Sequence, residues 1–283
     1  MPQLTDIAYV RALLSRHGFT FSKKLGQNFL VNPSVCPRMA QLCGASPESG
    51  VLEIGPGIGV LTRELAARAG KVVAIELDDR LPPVLAETLA DCGNVTIVSG
   101  DALKMDLRAL IAEQFGDRRV SVCANLPSYI TSPLIMALLE DRLPIDSLTV
   151  MVQKEAAQRL CAAPGTRAAG AVTLAVAYYA AAERLFDVSR GSFLPAPNVD
   201  SAVIRLRVRE TPPVAVADEG QMFRLIRAGF NQRRKTLLNS LGGAGFDKET
   251  LRAALDAAGL SPAARAEELT LADFAALSDA LGK

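Results

Sequence analysis

The feature that most constrains the fold is a glycine-rich turn, Gly55-Pro56-Gly57-Ile58-Gly59, between two apolar segments. Residues 51–54 have the length and composition of a buried strand, and residues 61–69 have the periodicity of a helix. Residues 71–75 predict a second strand, and Glu76 stands at its carboxyl end. Strand, tight turn, helix and strand in this order predict a βαβ unit, and therefore an α/β fold with a parallel sheet.

The spacing within this unit predicts a nucleoside site. Glu76 follows the first glycine by about twenty residues, the distance at which an acid binds the ribose hydroxyls of an adenosine. The glycines let the backbone approach a ligand closely. The loop has the pattern G-x-G-x-G rather than the dinucleotide pattern G-x-G-x-x-G, and no G-x-x-x-x-G-K-S/T phosphate loop occurs. Taken alone, the loop is also compatible with a purely structural turn.

Polar residues also follow the next two predicted strands. Residues 95–98 are followed by Gly100-Asp101-Ala102, and residues 120–124 end at Asn125. The carboxylate of Asp101 could accept a hydrogen bond from an adenine amine, although Asp is also common where a turn begins. Ligands of open α/β sheets bind at the carboxyl ends of the strands. Four strand ends that carry polar or glycine-rich loops therefore predict one binding rim.

Asn125-Leu126-Pro127 indicates the chemistry at this rim. The lone pair of an adenine amine is delocalised into the ring, so its nitrogen is a poor nucleophile. The Asn125 side-chain oxygen and the Leu126 carbonyl could accept both amine hydrogens, which favours a more tetrahedral, more nucleophilic nitrogen. Pro127 would fix the turn that points this carbonyl inward. Much of the rate would then come from alignment of the amine with a methyl donor, without a strict need for a general base.

These motifs resemble the class I S-adenosylmethionine-dependent methyltransferases, and more closely the ribosomal RNA adenine N6-dimethyltransferases, especially the bacterial enzymes of the small subunit. The resemblance covers residues 23–281. Besides the glycine loop and Asn-Leu-Pro, it rests on five segments: residues 23–30, Gln153-Lys154-Glu155, residues 193–203, residues 230–236 and Arg265-Ala266-Glu267. It implies an α/β fold with a Rossmann-like class I methyltransferase sheet and a small C-terminal all-helical domain.

The resemblance also implies roles for individual residues. S-adenosyl-L-methionine is the implied cofactor, with Asn28 and Leu30 at its methionine end, Glu76 at the ribose and Asp101 at the adenine amine. The full implied cofactor set is Asn28, Leu30, Gly55, Gly57, Glu76, Asp101, Ala102 and Asn125. The implied catalytic set is Asn125, Leu126, Pro127, Tyr129 and Phe193, with Phe193 stacked on a flipped adenine. The implied RNA-binding set is Lys23, Lys24, Arg233, Arg234 and Lys235.

One position departs from the family pattern. An aromatic residue usually follows Asn-Leu-Pro, whereas this chain has Ser128 and then Tyr129. Serine cannot stack on a base, and base–aromatic stacking contributes roughly 1–3 kcal/mol. Three outcomes stay open: Tyr129 replaces the missing ring, Phe193 suffices, or catalysis is weakened.

Composition limits the class of protein. No apolar run approaches a membrane span, and the first twenty residues lack a secretory pattern. Five scattered cysteines without a C-x-x-C pair, and a single histidine, His17, predict reduced thiols, no metal site and a cytoplasmic protein. The net charge is +1, but residues 7–47 and 221–241 each contain five basic residues and no acid. Such stretches are typical of phosphate-binding surfaces and also of solvated helices.

We predict a catalytic domain over residues 1–210, a linker over residues 211–217 and a helical RNA-binding domain over residues 218–283. Helices are expected over residues 249–258 and 271–281, the second beginning at Thr270 with Asp273. Arg233 falls on the apolar face of its segment, so either the helix breaks near Asn231 or Arg233 makes a buried polar contact. Residues 147–152 and 202–208 predict late strands, the second half-buried and at a sheet edge.

The predicted function is S-adenosylmethionine-dependent N6,N6-dimethylation of two adjacent adenosines near the 3′ end of 16S ribosomal RNA, by a monomer that acts in small-subunit biogenesis. The identity of the RNA comes from the resemblance alone. One alternative is an assembly factor that binds immature small subunits with reduced catalysis, which Ser128 motivates. Another is a DNA adenine-N6 methyltransferase, against which the segment Arg233-Arg234-Lys235 argues.

Overall fold

The computed structural model describes residues 3–22 and 25–282. The strands of this described part are β1 (Phe29–Leu30), β2 (Gly50–Ile54), β3 (Lys71–Glu76), β4 (Val95–Ser99), β5 (Val120–Asn125), β6 (Ser147–Gln153), β7 (Ala180–Val188), β8 (Phe193–Leu194) and β9 (Ser201–Val208). Its α-helices are α1 (Ile7–Arg16), α2 (Val35–Leu42), α3 (Val60–Ala66), α4 (Pro82–Thr88), α5 (Leu107–Phe115), α6 (Thr131–Glu140), α7 (Lys154–Leu160), α8 (Ala171–Tyr179), α9 (Glu219–Asn231), α10 (Leu237–Gly243), α11 (Lys248–Ala257) and α12 (Leu271–Leu281). Two short 3-10 helices cover Arg190–Ser192 and Ala266–Glu268.

Seven strands form one mixed sheet in the order β4-β3-β2-β5-β6-β9-β7. The pairs from β4 to β6 are parallel, and β9 is antiparallel to β6. The predicted βαβ unit is confirmed as β2, α3 and β3. The chain progresses from β2 toward β4 on one side and from β5 toward β6 on the other. The loops after β2 and β5 therefore diverge and leave a crevice at the carboxyl ends of the strands.

The parallel strands are apolar because both faces of the sheet are covered. Every residue of β2 is buried, and in β3 only Lys71 is partly exposed. Helices α2 and α3 contribute Met39 and Leu65 to the cluster that packs against Val51. This burial explains why the sequence shows continuous apolar runs rather than alternation.

Glycine is required in the loop after β2 for two separate reasons. Gly57 and Gly59 have φ angles of +60° and +90°, a region that other residues rarely adopt. A Cβ atom at Gly59 would also lie 3.1 Å from Leu89, and one at Gly57 would lie 3.2 Å from the ring of Phe29. Positive φ angles and close packing together determine the course of this loop into α3.

The strands β1 and β8 form a separate two-stranded antiparallel sheet. Phe29 pairs with Leu194, and Leu30 pairs with Phe193. The N-terminal motif and the Phe193 segment are thus joined by backbone hydrogen bonds. The side chain of Asn32 adds a hydrogen bond from its amide nitrogen to Ser192 Oγ, at 3.0 Å.

By its internal contacts the chain divides into two compact units. Unit 1 comprises Met1–Ala157 and Glu183–Val208, and unit 2 comprises Gln158–Ala182 and Arg209–Lys283. The last boundary between the units, after Val208, lies close to the predicted end of the catalytic domain at residue 210. Residues 211–217 contain neither helix nor strand.

The segment Gln158–Ala182, which the sequence-based boundaries assigned to the catalytic domain, groups instead with the C-terminal helices. The hydroxyls of Tyr178 and Tyr179 donate to Glu219 at 2.9 and 2.7 Å. Both rings also pack against Phe223 in α9. These contacts join residues about forty positions apart, and local periodicity does not reveal them.

Within unit 2, the helical predictions agree closely with the structure. Helix α9 ends at Asn231 and α10 begins at Leu237, so the first of the two expectations for Arg233, a break in the helix, is confirmed. Helix α12 begins with the predicted pair, in which Thr270 N–H donates to Asp273 at 2.8 Å and Asp273 N–H donates to Thr270 at 3.2 Å.

The two late strands are present as β6 and β9, but the predicted edge position of β9 is wrong. β9 lies between β6 and β7. Its alternating arginines suggested an exposed strand, yet Arg205 is accommodated by partners: its Nε donates to Glu183 at 2.6 Å, and Nη1 donates to the carbonyl of Leu42 at 3.0 Å. In the described part of the chain, no helix is both long and apolar enough to cross a membrane.

Candidate active site

A cavity of about 400 Å³ lies in unit 1, where the loops after β2, β3, β4 and β5 meet. Small-molecule sites commonly measure roughly 300–1,000 Å³. The cavity brings together all of the cofactor and catalytic residues proposed from the sequence: Asn28, Leu30, Gly55, Gly57, Glu76, Asp101, Ala102, Asn125, Leu126, Pro127, Tyr129 and Phe193. These residues come from segments far apart in the chain, so the fold has assembled them.

Glu76 is the buried acid at the end of β3. Its Oε1 accepts a hydrogen bond from the N–H of Asp78 at 2.8 Å, and its Oε2 accepts one from the N–H of Gly57 at 3.3 Å. Burial raises the pKa of Glu76 above its usual range, and the two backbone donors act against this rise. The donors fix the orientation of the carboxylate, and each oxygen keeps a lone pair for a ligand.

Asp101 begins the turn after β4 and also lines the cavity. Its Oδ1 accepts a hydrogen bond from the N–H of Leu103 at 3.0 Å, and its Oδ2 lies 3.5 Å from the ammonium of Lys104. The carboxylate is 30% exposed. The turn-forming interpretation of Asp101 and the ligand-binding one are therefore compatible, because one oxygen shapes the loop while the group still faces the cavity.

Asn125 is the last residue of β5, and the next N–H, that of Leu126, donates to the carbonyl of Met151 at 3.0 Å. The carbonyl of Pro127 accepts from the Thr131 hydroxyl at 3.0 Å, which connects the motif to α6. Within residues 3–22 and 25–282, the side-chain amide of Asn125 has no hydrogen-bond partner. The motif backbone is thus fixed, and the amide is available to a ligand.

The aromatic residues of the site occupy different places. Phe193 is buried in the core cluster that contains Met39 and forms part of the cavity wall. Tyr129 is exposed, and two of its ring carbons lie 3.9 Å from the position that a Cβ on Gly26 would occupy. Partial burial, followed by the charges of Asp101 and Glu76, raises the pKa of Tyr129. Its phenol therefore lies on the side of the two acids.

Comparison with known proteins decides the family. The family model described as ribosomal RNA adenine dimethylase matches residues 18–283. The chain belongs to this family. The protein is therefore an enzyme that transfers methyl groups from S-adenosylmethionine to adenine in ribosomal RNA, and the resemblance inferred from the motifs is confirmed.

Individual relatives match the chain over nearly its whole length. "Ribosomal RNA small subunit methyltransferase A" of Geobacillus thermodenitrificans (strain NG80-2) is 52% identical over 278 residues, 96% of this chain and 94% of the relative. The protein of the same name from Bacillus cereus (strain AH187) is 48% identical over 274 residues, 95% of this chain and 94% of the relative.

Two solved structures share the fold. A dimethyladenosine transferase from Plasmodium falciparum is 27% identical, with a TM-score of 0.72 over 88% of this chain and 95% of that one. The 23S rRNA methyltransferase ErmE is 29% identical, with a TM-score of 0.68 over 90% of this chain and 100% of that one. The predicted Rossmann-like methyltransferase fold is confirmed.

Glu53 is a cavity residue that the sequence did not predict. It lies in the middle of β2 and is only 1% exposed, and its Oε2 has no hydrogen-bond partner within the described residues. Burial, with a contribution from the charge of Glu76, raises the pKa of Glu53 to about 8. An acid inside the apolar run of residues 51–54 was the available signal. A buried carboxyl oxygen without a hydrogen-bond partner suits the ammonium group of S-adenosylmethionine, so the residues present fit this cofactor.

The basic residues proposed to bind RNA are not equivalent. Arg234 and Lys235 are exposed after the end of α9. Arg233 instead donates to Glu267 and to the carbonyl of Arg167, both at 2.9 Å. Lys23 and Lys24 lie outside the described residues. Across residues 3–22 and 25–282, no group of three His, Cys, Asp or Glu side chains is arranged to hold a metal ion.

Proposed function

We propose that the protein converts two adjacent adenosines near the 3′ end of 16S ribosomal RNA to N6,N6-dimethyladenosine during small-subunit biogenesis, as a cytoplasmic monomer. The relatives support the choice of subunit. Identity is 52% to a protein named for the small subunit and 29% to ErmE, which is named for 23S rRNA. The observation that carries the proposal is the convergence of Glu76, Asp101 and Asn125, from the ends of three parallel strands, on one cavity.

One end of the cavity, which contains Glu76 and Asp101, binds the cofactor. When bound, S-adenosylmethionine supplies a methyl group activated by its positive sulfur. Glu76, held by the N–H groups of Gly57 and Asp78, accepts hydrogen bonds from the ribose hydroxyls. Asp101 accepts from the adenine amine of the cofactor. Asn28 binds the methionine end, where the ionised carboxylate of Glu53 pairs with the ammonium group.

The target end follows from the Asn125 motif. The side-chain oxygen of Asn125 and the carbonyl of Leu126 accept the two hydrogens of the target amine, and this localises the nitrogen lone pair. Pro127 keeps the carbonyl turned inward. After the first methylation one hydrogen remains on the nitrogen, and either acceptor can hold it for the second. The larger part of the rate enhancement comes from this alignment.

Capture of the base requires it to leave its helix. Phe193 is the aromatic residue on which the flipped adenine stacks. This stacking offsets part of the free-energy cost of removing the base from its helix. Tyr129 packs beside Gly26 on the side of Glu76 and Asp101 and there borders the cofactor. Ser128 leaves the target end without the usual second ring.

The experiment that tests the proposal is methyl transfer from labelled S-adenosylmethionine to four substrates: immature small subunits, mature small subunits, large subunits and adenine-containing DNA. Nucleoside analysis should find N6,N6-dimethyladenosine at two adjacent positions of 16S RNA from immature subunits, and Asn125→Ala should greatly slow its formation. Label in large subunits or DNA would contradict the choice of substrate. Tight binding to immature subunits without transfer would support the assembly-factor alternative. Sedimentation equilibrium measures the molecular mass in solution and so tests whether the protein is a monomer.

RNA binding by unit 2 is tested with single variants. Arg234→Ala and Lys235→Ala should each weaken RNA binding and flatten its salt dependence, because each phosphate contact releases counterions. Arg233→Ala should mainly lower the unfolding temperature, because Arg233 donates hydrogen bonds to Glu267 and to the carbonyl of Arg167. Arg252→Ala, which removes an exposed charge from α11, is the matched control. Unchanged salt slopes in both test variants would remove this segment from the RNA interface.

A further inference from the structure

Asp78 is a buried carboxylate that the reaction described above does not use. Its side chain is 3% exposed, and it follows Glu76 by two residues. Its Oδ1 accepts from Arg80 Nε at 2.8 Å, and its Oδ2 accepts from Arg80 Nη2 at 2.6 Å and from Gln27 Nε2 at 2.7 Å. An aspartate is costly to bury unless it is paired and hydrogen-bonded, and here both oxygens are satisfied.

The partners of Asp78 connect it to the segment that precedes β1. The amide oxygen of Gln27 accepts from the N–H of Ser22 at 2.8 Å. Nη1 of Arg80 donates to the carbonyl of Thr20 at 3.1 Å, and its guanidinium carbon lies 4.6 Å from the centroid of the Phe19 ring. One carboxylate therefore anchors the chain before β1 at several points, directly at Gln27 and indirectly, through Arg80, at Phe19 and Thr20.

The other side of Asp78 connects to the cofactor end of the cavity. Its N–H donates to Glu76 Oε1 at 2.8 Å, so the backbone of Asp78 orients Glu76 while its side chain holds Gln27. Gln27 directly precedes Asn28, and both line the cavity. Asp78 thus connects the wall that contains Gln27 and Asn28 with the wall that contains Glu76, and its bond to Gln27 spans 51 positions of the chain.

We propose that Asp78 is a positioning residue for S-adenosylmethionine: through Gln27 it holds Asn28 in a fixed place relative to Glu76. This rests on the assignment of Glu76 and Asn28 to the cofactor in the proposed function. Apolar packing of Phe29 places the segment only coarsely, because packing has no directional preference. Hydrogen bonds to a buried charge are short and directional, so they set the distance between the two walls.

The test is Asp78→Asn, which preserves the shape of the side chain and removes its charge. The dissociation constant and KM for S-adenosylmethionine should each rise about tenfold, the equivalent of one hydrogen bond. The kcat at saturating cofactor and the affinity for RNA should stay unchanged. Asp79→Asn, which makes the same change on the exposed neighbouring residue, is the matched control and should leave all four quantities unchanged.

Gln27→Met is the second variant, because it removes the amide while it keeps the length of the side chain. Gln27→Met should weaken cofactor binding as much as Asp78→Asn does. The double variant, which carries both substitutions, should lose little more cofactor affinity than either single variant, since both remove the same hydrogen bond. A purely structural role predicts a lower unfolding temperature with unchanged KM in the folded variants. That result, or additive effects on cofactor affinity, would overturn the proposal.

Glu76→Ala separates a failure of this proposal from a failure of the proposed function. If Glu76→Ala weakens cofactor binding while Asp78→Asn and Gln27→Met leave it unchanged, only the positioning role is lost. If Glu76→Ala also leaves cofactor binding unchanged, the assignment of Glu76 to the cofactor in the proposed function is wrong.

Discussion

The two ends of the cavity are built differently. At the cofactor end, Glu76 is held by two backbone N–H groups, and Gln27 is held by Asp78. At the target end, the Asn125 amide has no hydrogen-bond partner within the described residues, and Ser128 is exposed. The cofactor end is therefore organised before any ligand binds, whereas the target end is completed by the substrate. Substitutions at the first should change cofactor affinity, and substitutions at the second should change turnover.

The largest effect is expected at the target end. Asn125→Ala should lower kcat by roughly 10²–10³-fold, the usual result of deleting one preorganised hydrogen-bonding group from a transition state. RNA affinity should change much less, because the amide acts mainly in the transition state. Single-turnover transfer and equilibrium RNA binding measure the two quantities. Equal losses in both would break the distinction between the two ends.

Glu76→Ala should give the next largest effect, now on binding. Removing hydrogen bonds from a charged acceptor to the ribose should weaken S-adenosylmethionine binding by roughly 1.5–3 kcal/mol, about ten- to hundredfold. Calorimetry measures this loss of affinity. Glu64→Ala is the control, since Glu64 of α3 pairs with Arg68 beyond the end of the helix and does not line the cavity. A folded variant with unchanged affinity would remove Glu76 from the site.

Glu53 predicts a pH dependence. The pKa of Glu53 is raised to about 8, and the ammonium group of the cofactor binds the ionised form. Below this pKa, binding must first remove a proton, so affinity should increase with pH by up to about tenfold per unit and level off above pH 8. Titration calorimetry in two buffers should detect proton release near pH 7. In Glu53→Gln the release should vanish, and proton release that persists there must come from another group.

The same shift predicts an effect on stability. The pKa of Glu53 is higher in the folded protein than its ordinary value of 4.5, so the unfolded chain loses this proton first. The free energy of unfolding should therefore decrease as pH rises from about 4.5 toward 8. Glu53→Gln should flatten that dependence in denaturant titrations of the ligand-free protein.

The smallest effect is expected at Ser128. Ser128→Tyr should raise RNA methylation severalfold, because base–aromatic stacking contributes roughly 1–3 kcal/mol and Phe193 already supplies part of it. Cofactor affinity should not change. Tyr129→Ala is the companion: since the ring packs beside Gly26 on the side of the acids, it should weaken cofactor binding more than turnover. A severe loss of turnover at unchanged cofactor affinity would instead show that Tyr129 captures the base.

The sequence predicted the glycine loop and the strand ends that carry Glu76 and Asp101 well because their determinants are local. The glycine loop requires positive φ angles, and the acids follow strands that are recognisable from continuous apolar runs. The capping pair Thr270 and Asp273 is local in the same way. The links through Asp78 and the placement of Gln158–Ala182 depend on partners distant in the chain, which spacing does not report. Glu53 was missed because an acid within a short apolar run looks like part of the strand.

The antiparallel ladder between β1 and β8 has a consequence for how the gene tolerates insertions. Leu30 and Phe193 are register partners, and both side chains line the cavity. Side chains alternate between the two faces of a strand, so one added or deleted residue turns every following side chain to the opposite face. A single-codon insertion within β1 would therefore shift Leu30 away from the cavity wall, and one within β8 would shift Phe193 in the same way.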